Sequence, residues 1–192
     1  MVPRLVILNG PPAAGKSTLA RLYVADHPLA LNLDIDRIRD LLGAWQDTPG
    51  DAGVAARAIA LAAARTHLER GYDVVIPQLV GRVGFLEQIE EVGAIVGAEF
   101  HEIVLLDTRA NTLRRFDDRT RAAAEPAHLD AAQAIVDDPD AVGRYHDTLV
   151  AVLPLRPRAV VVATRTGDIG RAYADLLATL EAGPSTPGMT RG

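Results

Sequence analysis

The segment Gly10–Thr18 carries the clearest chemical pattern in the sequence. It reads Gly-Pro-Pro-Ala-Ala-Gly-Lys-Ser-Thr, which is a glycine, four residues and then Gly-Lys-Ser. The apolar run Leu5–Leu8 precedes it, and a helical pattern begins near Lys16. In a strand–loop–helix unit of this kind, backbone N–H groups converge on an anion, and the helix N-terminus adds a partial positive charge. The pattern therefore predicts a phosphate-binding loop.

Two side chains of this loop have expected roles. Lys16 would reach the β- and γ-phosphates of a nucleotide, and the Ser17 hydroxyl would bind Mg²⁺. Lys16 is also the only lysine in a chain that holds 20 lysines and arginines, so the one compact ammonium stands where phosphate is expected. The alternative is a Gly/Pro turn that matches by chance. The predicted nucleotide-binding residues of the loop are Gly10, Pro12, Ala13, Ala14, Gly15, Lys16, Ser17 and Thr18.

Carboxylates follow the second apolar run, at Asp34 and Asp36. Phosphoryl transfer to a hydroxyl needs a carboxylate that orients the hydroxyl or accepts its proton, and Asp36 is our candidate for that catalytic role. Its alternative role is to cap the following helix. Asp34 is either a metal ligand or a solvated loop carboxylate. Arg39, one turn after Asp36, would bind the substrate or the γ-phosphate, or form only an exposed salt bridge.

A second cluster of charge lies in the arginine-dense stretch 109–124. Arg115 and Arg119 are one helical turn apart and share a face. A guanidinium can stack on adenine, and its fork can bind phosphate oxygens. We therefore expect Arg115 to contact the base and Arg119 to contact phosphate, on a helical lid that excludes water. The alternative is the ordinary surface charge of a helix.

Gln78 stands at the end of the third apolar run, where many phosphate-loop proteins carry an acidic residue that supports Mg²⁺. An amide there leaves the metal to Ser17, water and a carboxylate after the second strand. Gln78 and the following Gly81-Arg82 are then expected to face the acceptor. Asp107 could supply the missing acidic residue or cap a strand end. The five histidines show no ligand spacing.

The pattern of apolar runs places these residues on an α/β framework. We expect strands at 4–9, 30–33, 72–77, 102–107 and 159–163. We expect helices at 16–26, 34–42, 54–70, 84–97, 109–124, 126–152 (broken at Asp138-Pro139) and 168–182. Alternation of the two predicts a three-layer fold, with a five-stranded parallel sheet covered by helices on both faces. The carboxyl ends of its strands would bring the candidate residues to one edge.

Length and composition limit the class of protein. The 192 residues suit one domain, which we place at 1–182 with a lid at about 109–150 and a disordered tail at 183–192. The 43–53 segment, with Trp45, is expected to be a loop. The absence of cysteine excludes disulfides, and a net charge of −5 makes nucleic acid an unlikely partner. No run is long enough to span a membrane, and the first strand follows Met1 too closely for a signal peptide, so a cytoplasmic location is expected.

Three segments together resemble a known family, namely Gly10–Thr18, Asn32–Arg39 and Leu113–Arg119. They are similar to the small P-loop kinases with AAA-type ATP binding, nearest the group of chloramphenicol phosphotransferase, zeta-toxin-type kinases and the kinase domain of polynucleotide kinase. The resemblance implies a P-loop NTPase fold. It also implies that Asp36 is catalytic, that Arg115 covers adenine, and that the loop beginning at Thr164 lies at the adenine edge.

These observations favour a transfer of the γ-phosphoryl of ATP, with Mg²⁺, to a hydroxyl of a small molecule such as an antibiotic, a nucleoside or nucleotide, or a sugar. Lys16, Asp36 and Arg119 would be the catalytic residues. A nucleotide-binding regulatory ATPase or switch without an acceptor is the alternative, and a degenerate fold used for assembly is a third. A GTPase base motif of the form Asn-Lys-x-Asp cannot occur, since the one lysine lies in the phosphate loop. The sequence indicates neither the acceptor nor an oligomeric state.

Overall fold

A five-stranded parallel β-sheet forms the centre of the computed structural model, which describes residues 2–121 and 140–183. Its strands are β1 (Arg4–Asn9), β2 (Leu31–Asn32), β3 (Val74–Ile76), β4 (Glu99–Leu106) and β5 (Val160–Ala163). They lie in the order β2-β3-β1-β4-β5, and every neighbouring pair is parallel. The predicted parallel sheet is therefore confirmed, with β1 at its centre.

Helices connect these strands and cover the sheet. In the described ranges they are α1 (Lys16–Asp26), α2 (Ile35–Asp40), α3 (Pro49–Leu68), α4 (Val83–Val96), α5 (Arg109–Arg121), α6 (Ala141–Val152) and α7 (Ile169–Glu181). A short 3₁₀ helix, Leu153–Leu155, follows α6. Crossover helices of this kind are what parallel strands require, because a tight hairpin can join only antiparallel strands.

The hydrophobic core lies in two layers, one on each face of the sheet. Leu5 and Ile7 of β1 point to a layer built with α2, α3 and α4. Val6 and Leu8 point to the opposite layer, built with α1 and α7. All four side chains are fully buried, which is the pattern of a central parallel strand covered on both sides. The predicted three-layer arrangement is confirmed.

Several element boundaries differ from the sequence prediction. The third helix was expected to begin at residue 54 after a loop, and instead begins at Pro49. Proline suits the first position of a helix, since its fixed φ is already helical and no N–H is lost there. A stripe of small residues then faces the core every fourth position, at Ala52, Ala56, Ala60 and Ala64. The start of β4 also lies earlier than predicted, at Glu99, because that residue pairs with Arg4 of β1.

Parts of two predictions lie outside the described residues. The expected helix over 126–152 is described only as α6, and residues 122–139 are not described. The lid at about 109–150 therefore stays a prediction, and so does the tail, of which only Gly183 is described. Across the ranges 2–121 and 140–183, no helix combines the length and apolar character that a bilayer crossing requires.

Candidate active site

The phosphate loop joins β1 to α1 through a backbone that only glycine can adopt at two points. Gly10 and Gly15 have φ values of 154° and 97°, and Gly15 is the N-cap residue of α1. A Cβ on Gly10 would stand 2.8 Å from the carbonyl oxygen of Leu105 in β4. Ala13, at φ 62°, is the one loop residue with a side chain in the left-handed region. This backbone supports the predicted phosphate-binding loop, because a left-handed turn at a helix start collects N–H groups.

The remaining loop residues hold the turn closed. The Ala14 N–H donates to the Pro11 carbonyl (3.2 Å), and the Thr18 N–H donates to the Gly15 carbonyl (3.1 Å). The Ala14 side chain is buried, and the neighbouring Pro12 is partly exposed. The first bond closes the turn, and the second belongs to the start of α1, which has no side-chain cap.

A buried asparagine clamps the loop, and the sequence analysis missed it. Asn9 ends β1 and is 1% exposed. Its Oδ1 accepts hydrogen bonds from the backbone N–H groups of Gly10 and Val80, both at 2.9 Å, and its Nδ2 donates to the Val80 carbonyl at 2.9 Å. The phosphate loop is thereby fixed to the segment that follows β3. The signal available in the sequence was a polar residue that ends an otherwise apolar strand.

Lys16 lies over the loop that carries it. Its ammonium donates to the carbonyls of Gly10 and Pro11, both at 2.9 Å. Burial, followed by the positive charge of Arg119, lowers the pKa of Lys16 to about 8, and the carboxylates of Asp36 and Asp34 oppose that shift. The charges of Arg119, Asp36 and Asp34 therefore all act on the amine of Lys16.

Arg115 joins α5 to the ends of β4 and β5. Its guanidinium donates to Asp107 Oδ2 (2.6 Å), to Thr164 Oγ1 (3.1 Å) and Thr166 Oγ1 (3.1 Å), and also to the Thr164 carbonyl. These bonds engage four of the five N–H groups, so the flat face of the guanidinium is the part most available to a ligand. A fixed, face-on guanidinium is suited to stacking on a base.

Asp107 has a structural partner that the sequence analysis did not predict. Burial alone would raise its pKa, but hydrogen bonds from the Asn111 side chain and the Thr108 N–H, with the charge of Arg115, hold the pKa of Asp107 below its usual range. His146 of α6 approaches the same residue, with Nε2 3.1 Å from the Asp107 carbonyl. Asp107 therefore anchors Arg115, and its carboxylate is already engaged.

A first cavity, of about 290 Å³, lies beside this arginine. Its walls come from the phosphate loop, α5 and the loop after β5, and they include Ala13, Gly15, Arg115, Arg119 and Thr164. Thr164 is 4% exposed, and its N–H continues the sheet by donating to the Leu106 carbonyl. The structure thus brings the predicted phosphate-loop and lid residues to one cavity, which we call the nucleotide cavity.

Asp34, not Asp36, caps the helix that follows β2. Asp34 Oδ1 accepts from the N–H groups of Asp36 (3.1 Å) and Arg37 (3.4 Å). The capping alternative for Asp36 is therefore wrong, because β2 ends at Asn32 and leaves Asp34 in the extended conformation that a cap needs. Burial and the charge of Asp36 raise the pKa of Asp34. The Asp36 side chain is 57% exposed and is left for another role.

Asp36 contacts the two other side chains that the sequence placed near the acceptor. Its Oδ1 lies 3.3 Å from Arg39 Nη1, and its Oδ2 accepts from Gln78 Nε2 at 3.3 Å. The Arg39 guanidinium also lies 4.2 Å from the ring centroid of Trp45. Arg39 Nε and Gln78 Oε1 are buried and have no hydrogen-bond partner among the residues that the structure describes. A ligand that satisfies such atoms gains more than the average net value of a hydrogen bond, because orphaned buried atoms are costly.

A second cavity, of about 440 Å³, lies against these residues, and we call it the acceptor cavity. Asp36, Arg39, Gln78 and Arg82 all line it, as the sequence analysis expected for substrate-binding residues. Gly81, expected to face the acceptor beside Arg82, lines the cavity too. The other walls belong to no substrate-binding pattern in the sequence, and they are Ile35, Gly53, Ala56, Arg57, Leu79, Val80, Phe85, Tyr145 and Thr148. They come from α2, α3, α4, α6 and the segment after β3, so only the folded chain brings them together.

The side chains near the phosphate loop suit Mg²⁺ only when the phosphate oxygens of a nucleotide supply further ligands. The described ranges contain no group of three or more His, Cys, Asp or Glu side chains that could hold a metal ion. Mg²⁺ retains several waters and uses few protein ligands when nucleotide phosphates bind it. The exposed Ser17 hydroxyl at the start of α1, and the Asp34 carboxylate, are the residues that would hold it. That assignment stays a prediction.

Comparison with known proteins bears on the family and the fold of the chain. A family model described as "AAA domain" matches residues 5–139, and no curated protein matches the chain. The structure of an APS kinase from Mycobacterium tuberculosis, in complex with AMPPNP and APS, has a TM-score of 0.64 at 15% identity, over 94% of this chain and 98% of that one. A gluconokinase from Sinorhizobium meliloti 1021 has a TM-score of 0.61 at 15% identity, over 94% and 93%. At these identities the likeness shows a shared fold, that of the small P-loop kinases.

Proposed function

The chain belongs to the AAA domain family, and from that premise we propose that it is a kinase which transfers the γ-phosphoryl of ATP to a hydroxyl of a small molecule. One observation carries the proposal: two separate cavities lie on either side of one phosphate loop. The nucleotide cavity lies toward β5, and the acceptor cavity lies toward β3, with β1 between them in the sheet. A nucleotide-dependent switch has no need of a second cavity lined by a carboxylate.

In this proposal Asp36 acts on the acceptor. Its carboxylate lines the acceptor cavity, and it belongs to the few charges that act on Lys16, so it faces the site where phosphate is expected. It would accept the proton of the attacking hydroxyl as the new O–P bond forms and the bond between the β–γ bridging oxygen and the γ-phosphorus breaks. ADP then leaves with the bridging oxygen. General base catalysis of this kind contributes about 10²- to 10⁴-fold to a rate.

The positive side chains stabilise the charge of the transferred group. Lys16 would exchange its two loop carbonyls for phosphate oxygens, and Arg119 would approach the same phosphates from the lid. Arg115 holds the base side of the nucleotide through its flat face. Mg²⁺, when bound with the nucleotide, supplies further neutralisation of the phosphate charge.

The test compares Asp36→Asn with Asp40→Asn. Both carboxylates lie on α2 and both contact Arg39, but only Asp36 lines the acceptor cavity. ATP consumption with Mg²⁺ is measured across a panel of hydroxylated acceptors, and ATP binding is measured by calorimetry. We expect acceptor-dependent turnover to fall by about 10²-fold or more in Asp36→Asn and by less than about threefold in Asp40→Asn, with ATP binding retained in both.

Two results would contradict the proposal. The first is tight ATP binding with no stimulation by any acceptor, which would favour the regulatory switch. The second is equal turnover in Asp36→Asn and the native chain, which would leave a kinase without the role given to Asp36.

A further inference from the structure

The acceptor cavity contains two arginines that have no acidic partner. Arg57 of α3 and Arg82 at the start of α4 both line it. Throughout residues 2–121 and 140–183, neither side chain forms an ion pair or a hydrogen bond. The closest interaction of Arg57 is with the ring of Phe85, whose centroid lies 5.7 Å from the guanidinium carbon.

Several other described arginines also lack an ion pair, but these two line the same cavity. Most of the arginines that the structure describes lie against a carboxylate, and Arg39, which shares the cavity, contacts both Asp36 and Asp40. The chain is also acidic overall, with a net charge of −5. The acceptor cavity of this acidic protein is lined by Arg39, Arg57 and Arg82, and the single carboxylate of Asp36 offsets only part of their positive charge.

The charges have a consequence for what can bind there. A carboxylate or phosphate ester that enters the cavity meets the negative charge of Asp36, and the guanidinium of the partly buried Arg57 gives it a compensating positive partner. A neutral alcohol would leave both guanidinium groups with water alone. The forks of two arginines suit an oxyanion with several acceptor oxygens.

We propose that the acceptor is a hydroxylated organic anion, whose carboxylate, phosphate or sulfate group is held by Arg57 and Arg82 while its hydroxyl lies against Asp36. This inference rests on the proposed kinase function, because it concerns the second substrate of the same site. Phe85 and Tyr145 supply aromatic walls for the carbon skeleton between the two ends. Gln78 and Arg39 retain buried atoms that a polyhydroxylated skeleton could satisfy.

The first experiment uses pairs of acceptors that differ by one charged group: gluconate with sorbitol, and glycerol 3-phosphate with glycerol. Phosphoryl transfer from ATP is measured for the native chain and for Arg57→Gln, Arg82→Gln and Arg65→Gln. Arg65 is the matched control, since it lies on α3 two turns beyond Arg57, forms an exposed pair with Glu69 and lies outside the cavity. Arg57→Lys tests whether charge without the fork is enough.

The expected result is a preference in kcat/KM for at least one charged member over its neutral partner. Arg57→Gln and Arg82→Gln should each reduce that preference by about 10-fold or more through KM, with the KM for ATP unchanged and Arg65→Gln like the native chain. Equal kcat/KM values for charged and neutral members, unaffected by either variant, would overturn the inference and leave the kinase intact.

A second experiment separates the inference from the kinase proposal. Binding of gluconate and of glycerol 3-phosphate is measured by calorimetry with the chain saturated with ADP and Mg²⁺, so that the phosphate loop is occupied. Binding that is lost in Arg57→Gln and kept in Arg65→Gln, together with no phosphoryl transfer from ATP to any acceptor in the first experiment, would support the anion site and contradict the kinase function. Binding that is equal in all variants, or absent in all of them, would overturn the anion site.

Discussion

Lys16 should take up a proton when a nucleotide binds. In the free chain its amine is buried and lies near Arg119, and its pKa is about 8. Phosphate oxygens around the amine favour its charged form and raise that pKa well above the working range. The neutral fraction of the free amine is about one half at pH 8 and about nine tenths at pH 9, so ADP binding should take up about 0.5 and about 0.9 protons.

The protonation of Lys16 also determines how the affinity for ADP changes with pH. The charged amine is the form that binds phosphate, so affinity for ADP should be constant below pH 8 and should weaken above it. Each pH unit above 8 should cost about 10-fold, or about 1.4 kcal/mol, until the pKa of the bound state is reached.

Calorimetry measures the uptake directly. ADP and Mg²⁺ are titrated into the chain at pH 8 and pH 9, in two buffers of different ionisation enthalpy that contain no phosphate. The dependence of the observed heat on the buffer gives the number of protons. Equal heats in the two buffers at both pH values would refute the reasoning, because they would mean that Lys16 is already charged in the free chain.

A matched pair of variants identifies the source of the shift. Arg119→Gln removes the second cause of the lowered pKa, and so proton uptake at pH 8 should decrease. Arg121→Gln, on the same helix, changes an exposed arginine that pairs with Asp118, and should leave the uptake unchanged. An independent check uses the fact that Lys16 is the only lysine: its rate of modification by an amine-reactive reagent, followed by peptide mapping, should rise with a midpoint near pH 8.

Two further variants test the scaffold of the site. Asn9→Ala removes three buried hydrogen bonds and should lower the free energy of unfolding by about 2–4 kcal/mol in urea denaturation; a loss below about 1 kcal/mol would mean that the clamp contributes little. Arg115→Lys keeps the charge but cannot engage four acceptors at once, so the KM for ATP should rise by about 10-fold while the KM for the acceptor stays the same. Arg114→Lys, at the exposed neighbouring position, is its control, and a change confined to the acceptor KM would contradict the role given to Arg115.

The sequence predicted the features that depend on short stretches of chain. The phosphate loop is defined by spacing over nine residues, and the alternation of apolar runs predicted the sheet because each buried strand is a local signal. The position of Asp36 at the edge of the sheet followed from the same order of elements. Where two neighbouring residues competed for one role, as at the start of α2, spacing could not decide between Asp34 and Asp36, since the backbone conformation after β2 determines which residue caps the helix.

Residues that meet only through tertiary packing were beyond sequence reasoning. Arg57 and Tyr145 are 88 residues apart in the chain and reach the acceptor cavity from different helices, and neither belongs to a recognisable pattern. The clamp of Asn9 depends on Val80, which lies 71 residues away. The sequence could not decide between the two roles of Asp107, because its contact with Arg115 depends on how α5 packs against the end of β4.

The separation of the two cavities bears on how such a chain can diversify. The nucleotide cavity and the acceptor cavity share no lining residue. Substitutions among the walls of the acceptor cavity can therefore be selected for a new acceptor without altering the contacts proposed to hold ATP. Lineages built on this scaffold can exchange one acceptor for another in small steps, each of which keeps the phosphate donor, and their acceptor walls should diverge faster than their phosphate loops.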